Sequence, residues 1–154
     1  MRILPAHPTA LIPRVRELFR EYADGTGLDL CFQGFDEELE SLPGRYAPPE
    51  GRLLLAESGA QDAGCVALRK LDDGICEMKR LYVRLPFRGR GVGQALAFAS
   101  VEAARDIGYK SMKLDTLATM TSAIALYRSM GFREIPPYYP NPLAGVLYFE
   151  LPLS

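Results

Sequence analysis

From Arg52 onward the chain runs through three strand-like stretches, "RLLLAES", "AGCVALRKL" and "ICEMKRLYVR". Only the short turns "GAQD" and "DDG" separate them. Turns this short join antiparallel neighbours. Beyond the third stretch the topology changes. A helical stretch is expected from about Val92 to Ile107 with Gly108 as its cap, then the strand "KSMKLDT", the helix "TSAIALYRSM" closed by Gly131, and the strands "FREI" and "GVLYFELPL". A strand–helix–strand step needs a parallel pair. An antiparallel meander feeding such a step gives a mixed sheet with helices on both faces, an α/β or α+β sandwich.

The first fifty residues fit that frame. "RILPA" reads as an edge strand. Leu11, Ile12, Val15, Leu18, Phe19 and Tyr22 form a helical stripe over residues 9–23, with Thr9 or Ala10 as its cap. Pro13 is tolerated because it falls in the first turn, and "DGTG" ends the helix. "FDEELESLPG" is a second, short helix stopped by Pro43 and Gly44. A chain of 154 residues without a visible repeat fits one domain spanning 1–154.

A net charge of -1 gives no reason to expect nucleic acid or an anionic membrane as partner. No apolar run reaches the length of a membrane span. The N-terminal stretch lacks the apolar core of a signal peptide. Cys31, Cys65 and Cys76 show no CxxC spacing, and His7 is the single histidine. That set argues against a metal site and for reduced thiols in a cytoplasmic protein. The informative charge is local: Arg80, Arg84, Arg88 and Arg90 cluster ahead of the central helix.

Two of them flank the glycines of "RGRGVG", residues 88–93. A helix start offers free N–H groups and a partial positive charge, and glycines let an anion come close. Neither Walker A nor GxGxxG is matched, because no GK[ST] comes after the loop and the third glycine is missing. Taken alone, the loop is equally the mark of a turn that binds nothing.

The stretch "ICEMKRLYVRLPFRGRGVGQAL", with "LYRSMGF" about thirty-five residues on, resembles the GNAT superfamily of acyl-CoA-dependent N-acetyltransferases. Arg88, Gly91 and Gly93 match its [QR]xxGx[GA] signature. Leu126, Tyr127, Gly131 and Phe132 match its LYxxxGF signature. The likeness covers roughly residues 50–154. It implies a mostly antiparallel sheet with a splayed parallel pair and about four flanking helices. It also implies acetyl-CoA as cosubstrate, with the pyrophosphate on the amides of Arg88, Gly89, Arg90, Gly91, Val92 and Gly93. The pantetheine would pair with Leu81, Tyr82 and Val83, and Thr121, Ala123 and Tyr127 would complete the cofactor face.

The resemblance also assigns chemistry. Glu77 takes the place of the family's proton-accepting glutamate, against the plainer reading of a strand carboxylate paired with Lys79 or Arg69. Tyr127 takes that of the acid that protonates the departing thiolate, against a core aromatic. The Leu81 amide would hold the developing oxyanion. Many relatives carry asparagine where this chain has Met120, so one pantetheine contact is lost or moved to Thr119 or Thr121. Phe32 and Gln33 of "CFQGF", and Tyr138 and Tyr139 of "PPYYPNP", are candidate walls for an amine acceptor, against prolines that merely stiffen a connector. The expected activity is acetyl transfer to a small-molecule or protein amine by direct transfer in a ternary complex. The alternative is a non-catalytic acyl-CoA sensor on the same fold. A homodimer through the last strands is implied by the same resemblance.

Overall fold

The computed structural model describes residues 1–27 and 34–153. One seven-stranded sheet runs through the molecule in the order β1-β2-β3-β4-β5-β7-β6. Its strands are β1 (Arg2–Pro5), β2 (Arg52–Ser58), β3 (Gln61–Asp72), β4 (Ile75–Val83), β5 (Ser111–Leu117), β6 (Arg133–Ile135) and β7 (Val146–Pro152). Among the described residues four α-helices flank it: α1 (Ile12–Thr26), α2 (Phe35–Ser41), α3 (Val92–Ile107) and α4 (Thr121–Ser129). Neighbouring strands are antiparallel except β4 and β5. The mixed sheet with one parallel pair and four helices agrees with the fold class read from the sequence.

The helical boundaries follow local chemistry. The turn Thr9–Leu11 is 3-10, so α1 starts later than the expected cap, with Leu11 at the N-cap and Pro13 in the first turn. Proline suits that turn because its missing N–H has no partner there anyway. The helix runs through Asp24 and Gly25 and stops on Gly27 at φ 66°.

Alternation along the central strands fills both faces. Leu53 and Leu55 of β2 join Val15, Leu18, Phe19 and Leu39 beneath α1 and α2. Leu54 joins Leu96, Val101, Met112 and Phe149 beneath α3 and α4. A strand covered on both sides reads as a continuous apolar run, which is why "LLLA" shows no alternation of polarity.

Two irregularities shape the middle of the sheet. β4 and β5 pair through only Ile75–Ser111, Cys76–Met112 and Glu77–Lys113, although both strands continue. Farther along β4, Ala67 pairs Lys79 and Cys65 pairs Tyr82, so β4 carries one extra residue there. This is a β-bulge, and Arg80 takes its strain at φ 61°. Close approach is enabled by Gly64 of β3, where a Cβ would lie 2.3 Å from the Tyr82 carbonyl oxygen.

Candidate active site

The wedge between β4 and β5 opens into two adjoining spaces. The larger is a groove of about 610 Å³. One wall is Leu81, Tyr82 and Val83 of β4; another is Thr119, Met120, Thr121, Ser122, Ala123 and Leu126 at the start of α4. Arg88, Gly89, Gly91, Val92, Gly93 and Gln94 close its end. The smaller is a cavity of about 60 Å³ lined by Lys79, Arg80, Asp115 and Asn141 among others. Leu81, Met120, Ala123, Tyr22 and Thr26 line both, so the two spaces meet beside the bulge.

The groove's closed end is built from a helix start. Gly89 and Gly91 have φ of 78° and 81°, conformations that cost most side chains about 1–2 kcal/mol. A Cβ on either would meet nothing within 4 Å, so the outer side of the loop is open space. Gly91 is the N-cap of α3, and the first helical bond runs from Ala95 N–H to its carbonyl. The amides of Val92, Gly93 and Gln94 therefore have no partner inside the helix. Arg88 donates from Nε to the Val83 carbonyl at 2.8 Å and lies over the Tyr82 ring, 5.9 Å from its centroid. Arg90 lies over Phe87, and its side chain does not line the groove.

Acetyl-CoA's demands fit this set. A pyrophosphate needs amides and cations, which the Arg88–Gly93 loop supplies. Pantetheine carries two amides, and beyond Glu77 the β5-facing edge of β4 has no strand partner among the described residues. Met120 lines both spaces, and the Thr116 hydroxyl lies 3.7 Å from its sulfur. Thr119 and Thr121 bring two hydroxyls to the groove.

Tyr127 lines the small cavity. Its ring packs on Phe132 and Phe149 at centroid distances of 5.6 and 6.4 Å. Burial pushes its hydroxyl above the ordinary tyrosine range, so it holds its proton.

The acceptor side differs in detail from the sequence reading. Glu77 is 1% exposed and lines neither space. Arg69 contacts its Oε1 at 2.8 Å, and Tyr138 donates to its Oε2 at 2.5 Å. Tyr139 donates to Asp115. Tyr138, Tyr139 and Tyr148 pack edge to face at 5.4–5.6 Å, and neither Tyr138 nor Tyr139 lines either cavity. Phe32 and Gln33 lie outside the described residues.

Sequence reasoning missed Asp115, Asn141, Lys79 and Tyr22 as cavity residues. None belongs to a motif; a strand splay brings them together. Arg80 is buried among compensating partners. Glu38 accepts from its Nε at 2.9 Å, and the rings of Phe35 and Tyr22 lie 5.0 and 5.8 Å from the guanidinium. Burial lowers the pKa of Lys79, with Glu77 opposing and Arg80 assisting.

Comparison with known proteins identifies the family. The sequence model of the Acetyltransferase (GNAT) family matches residues 12–132. An uncharacterized N-acetyltransferase of Schizosaccharomyces pombe is 43% identical over 139 residues, covering 89% of this chain and 85% of that protein. A GNAT-family acetyltransferase from Staphylococcus aureus superposes with a TM-score of 0.82 at 20% identity, over 99% of each chain. A GNAT acetyltransferase from Elizabethkingia anophelis, solved with acetyl-CoA bound, has a TM-score of 0.58 and 25% identity over 68% of this chain and 77% of that one. The chain belongs to the GNAT acetyltransferase family and is an acyltransferase.

Proposed function

We propose that this acyltransferase moves an acetyl group from acetyl-CoA to a primary amine by direct transfer in a ternary complex. The observation that carries the reading is the meeting of the groove and the small cavity at Leu81, beside the β4 bulge. Cofactor and acceptor can then reach one reacting centre from two sides, which removes most of the entropy of bringing them together.

The chain's residues divide the work. The helix-start amides and Arg88 bind the pyrophosphate. The free edge of Leu81–Val83 aligns the pantetheine amides, and the Leu81 N–H holds the oxygen on which charge develops. Tyr127 gives its proton to the departing sulfur. A cytoplasmic setting goes with this reading, because Cys65 and Cys76 are free, buried thiols. The bound acetyl-CoA of the Elizabethkingia relative supports the choice of acyl donor.

The test pairs binding with turnover. Acetyl-CoA at a hundred times its Kd should add about 2.7 kcal/mol to stability. A panel of benzylamine, spermidine, lysine and 4-methylaniline should then show amine-dependent thiol release. No shift in Tm would sink the cofactor assignment. A shift without thiol release from any amine would leave a binding module and overturn the transfer.

A further inference from the structure

Two carboxylates flank the wedge, and they stand in opposite circumstances. Glu77 is enclosed, with Arg69 on one oxygen and the Tyr138 hydroxyl on the other. Asp115, on β5 past the last β4–β5 pair, is half-buried and lines the small cavity together with Leu81 and Tyr127. Its Oδ2 accepts the Tyr139 hydroxyl, and Asn141 donates to that same hydroxyl at 2.9 Å. No salt bridge of the described residues involves Asp115, though its charge acts on Lys79 across the cavity, and the hydrogen bond it accepts comes from Tyr139 to Oδ2.

Resting on the reading of amine acetylation above, we propose that Asp115 is the catalytic carboxylate that takes the proton of the acceptor's ammonium group. Tyr139 is a positioning residue that orients it.

The electrostatics favour this assignment. In water, an alkylammonium gives its proton to a carboxylate uphill by about six pK units. In the cavity the same transfer turns a cation and an anion into two neutral groups, which burial favours. Lys79 and Arg80 of β4 line the same space and disfavour a further cation. Among the described residues the remaining titratable groups around Asp115 are Tyr22 of α1, Tyr127 of α4, Tyr139 of the β6–β7 connector and Tyr148, its partner on β7. Glu77 and Lys113 lie beyond, against Tyr138, and Glu38 of α2 pairs with Arg80. The tyrosines with raised pKa values stay neutral near pH 7, and among the described residues Asp115 is the only carboxylate that lines the cavity.

The protons balance. Asp115 takes one proton from the ammonium and later returns it to solvent. The freed lone pair forms the C–N bond as the C–S bond breaks. Sulfur receives the Tyr127 proton, and the second proton leaving nitrogen restores Tyr127. One proton is released per turnover.

The test uses acceptors that differ in their need for a base. Benzylamine, or the fastest alkylamine of the panel, is protonated at pH 7; 4-methylaniline is already neutral. Asp115→Asn should lower kcat/KM at pH 7 for the alkylamine by about 10²–10³-fold, within the range of a lost general base. It should lower that for 4-methylaniline less than about tenfold. For the alkylamine, log kcat/KM of the variant should climb with unit slope up to the amine's own pKa. Glu77→Gln should keep the acid limb of the wild-type profile. Tyr139→Phe retains the carboxylate and should shift the ratio of the two amines the same way by a smaller factor, which keeps the proposal testable if Asp115→Asn fails to fold. Equal losses for both amines in Asp115→Asn, or an unchanged ratio in Tyr139→Phe, would overturn the proposal alone. A wild-type enzyme that releases thiol with no amine overturns the transfer reading and the proposal with it.

Discussion

Tyr127 is a core aromatic to which the proposed mechanism also gives a proton to donate. Its ring sits among Phe132 and Phe149, while among the described residues no group hydrogen-bonds its hydroxyl. Replacing it with phenylalanine therefore removes only the hydroxyl and keeps the core. Tyr127→Phe should lower kcat by about 10²-fold or more, as for a lost general acid, with acetyl-CoA affinity nearly unchanged. Calorimetry beside stopped-time assays checks both; a wild-type kcat would remove Tyr127 from the chemistry. Legibility at this scale follows motifs. Tyr127 and Arg88 stood out because each lies in a spaced signature. Glu77 stands out by resemblance to the family's proton-accepting glutamate, but the Tyr138 hydroxyl that encloses it is 61 residues away. Asp115 carried no local signal at all, since "KSMKLDT" reads as an ordinary strand and its carboxylate gains meaning only from the opening beside β5.

Elements explain why the groove exists. The start of α3 was readable almost to the residue, Val92–Ile107, because glycines and a helical period mark both ends. The bulge at Arg80 was not, since an arginine at φ 61° has no sequence signature and is held there by Glu38 and Phe35. The last two glycines of the loop separate by conformation. Gly91 needs φ 81° at the N-cap, whereas Gly93 is helical and a Cβ there would meet Val83 Cγ2 at an ordinary 3.5 Å. Gly91→Ala should cost about 1–2 kcal/mol and weaken acetyl-CoA binding. Gly93→Ala should hold or raise stability by up to about 1 kcal/mol, because alanine is the better helix former. The denaturant midpoint should fall in Gly91→Ala and hold or rise in Gly93→Ala; a parallel fall would mean that the loop's conformation is not what the glycines serve.

At the scale of the molecule, one sheet separates two cores, and charged ties lock the layers together. Glu21 of α1 accepts Arg84 Nη2 at 2.6 Å and Nε at 3.0 Å, with Tyr82 donating at 3.1 Å. Arg84 holds the Glu21 carboxyl below its ordinary pKa, assisted by Tyr82 and opposed by burial. A depressed folded pKa gives stability that is present above the unfolded value near ~4.3 and lost as pH falls through the folded one. Both partners are 30% exposed, so solvent limits the tie to about 1 kcal/mol or less. Glu21→Gln should therefore unfold at lower urea than the wild type at pH 7, and the gap should narrow below about pH 4. A gap that persists at pH 3 would assign the loss to packing. The mixed sheet and its helices were legible because period and turn length report topology. The insertion of β7 between β5 and β6 was not, because strand order there is set by pairing between distant segments.

The three-pair seam between β4 and β5 divides the sheet into a hairpin-built half and a second half, each bonded internally along its length. Backbone amides on the inner edges past Glu77 and Lys113 have no strand partner across the gap. They trade hydrogen with solvent on the clock of local fluctuation, while amides bonded within each half wait for far larger openings. A single continuous sheet should thus keep two exchange clocks, with the boundary between them along the walls of the β4–β5 wedge.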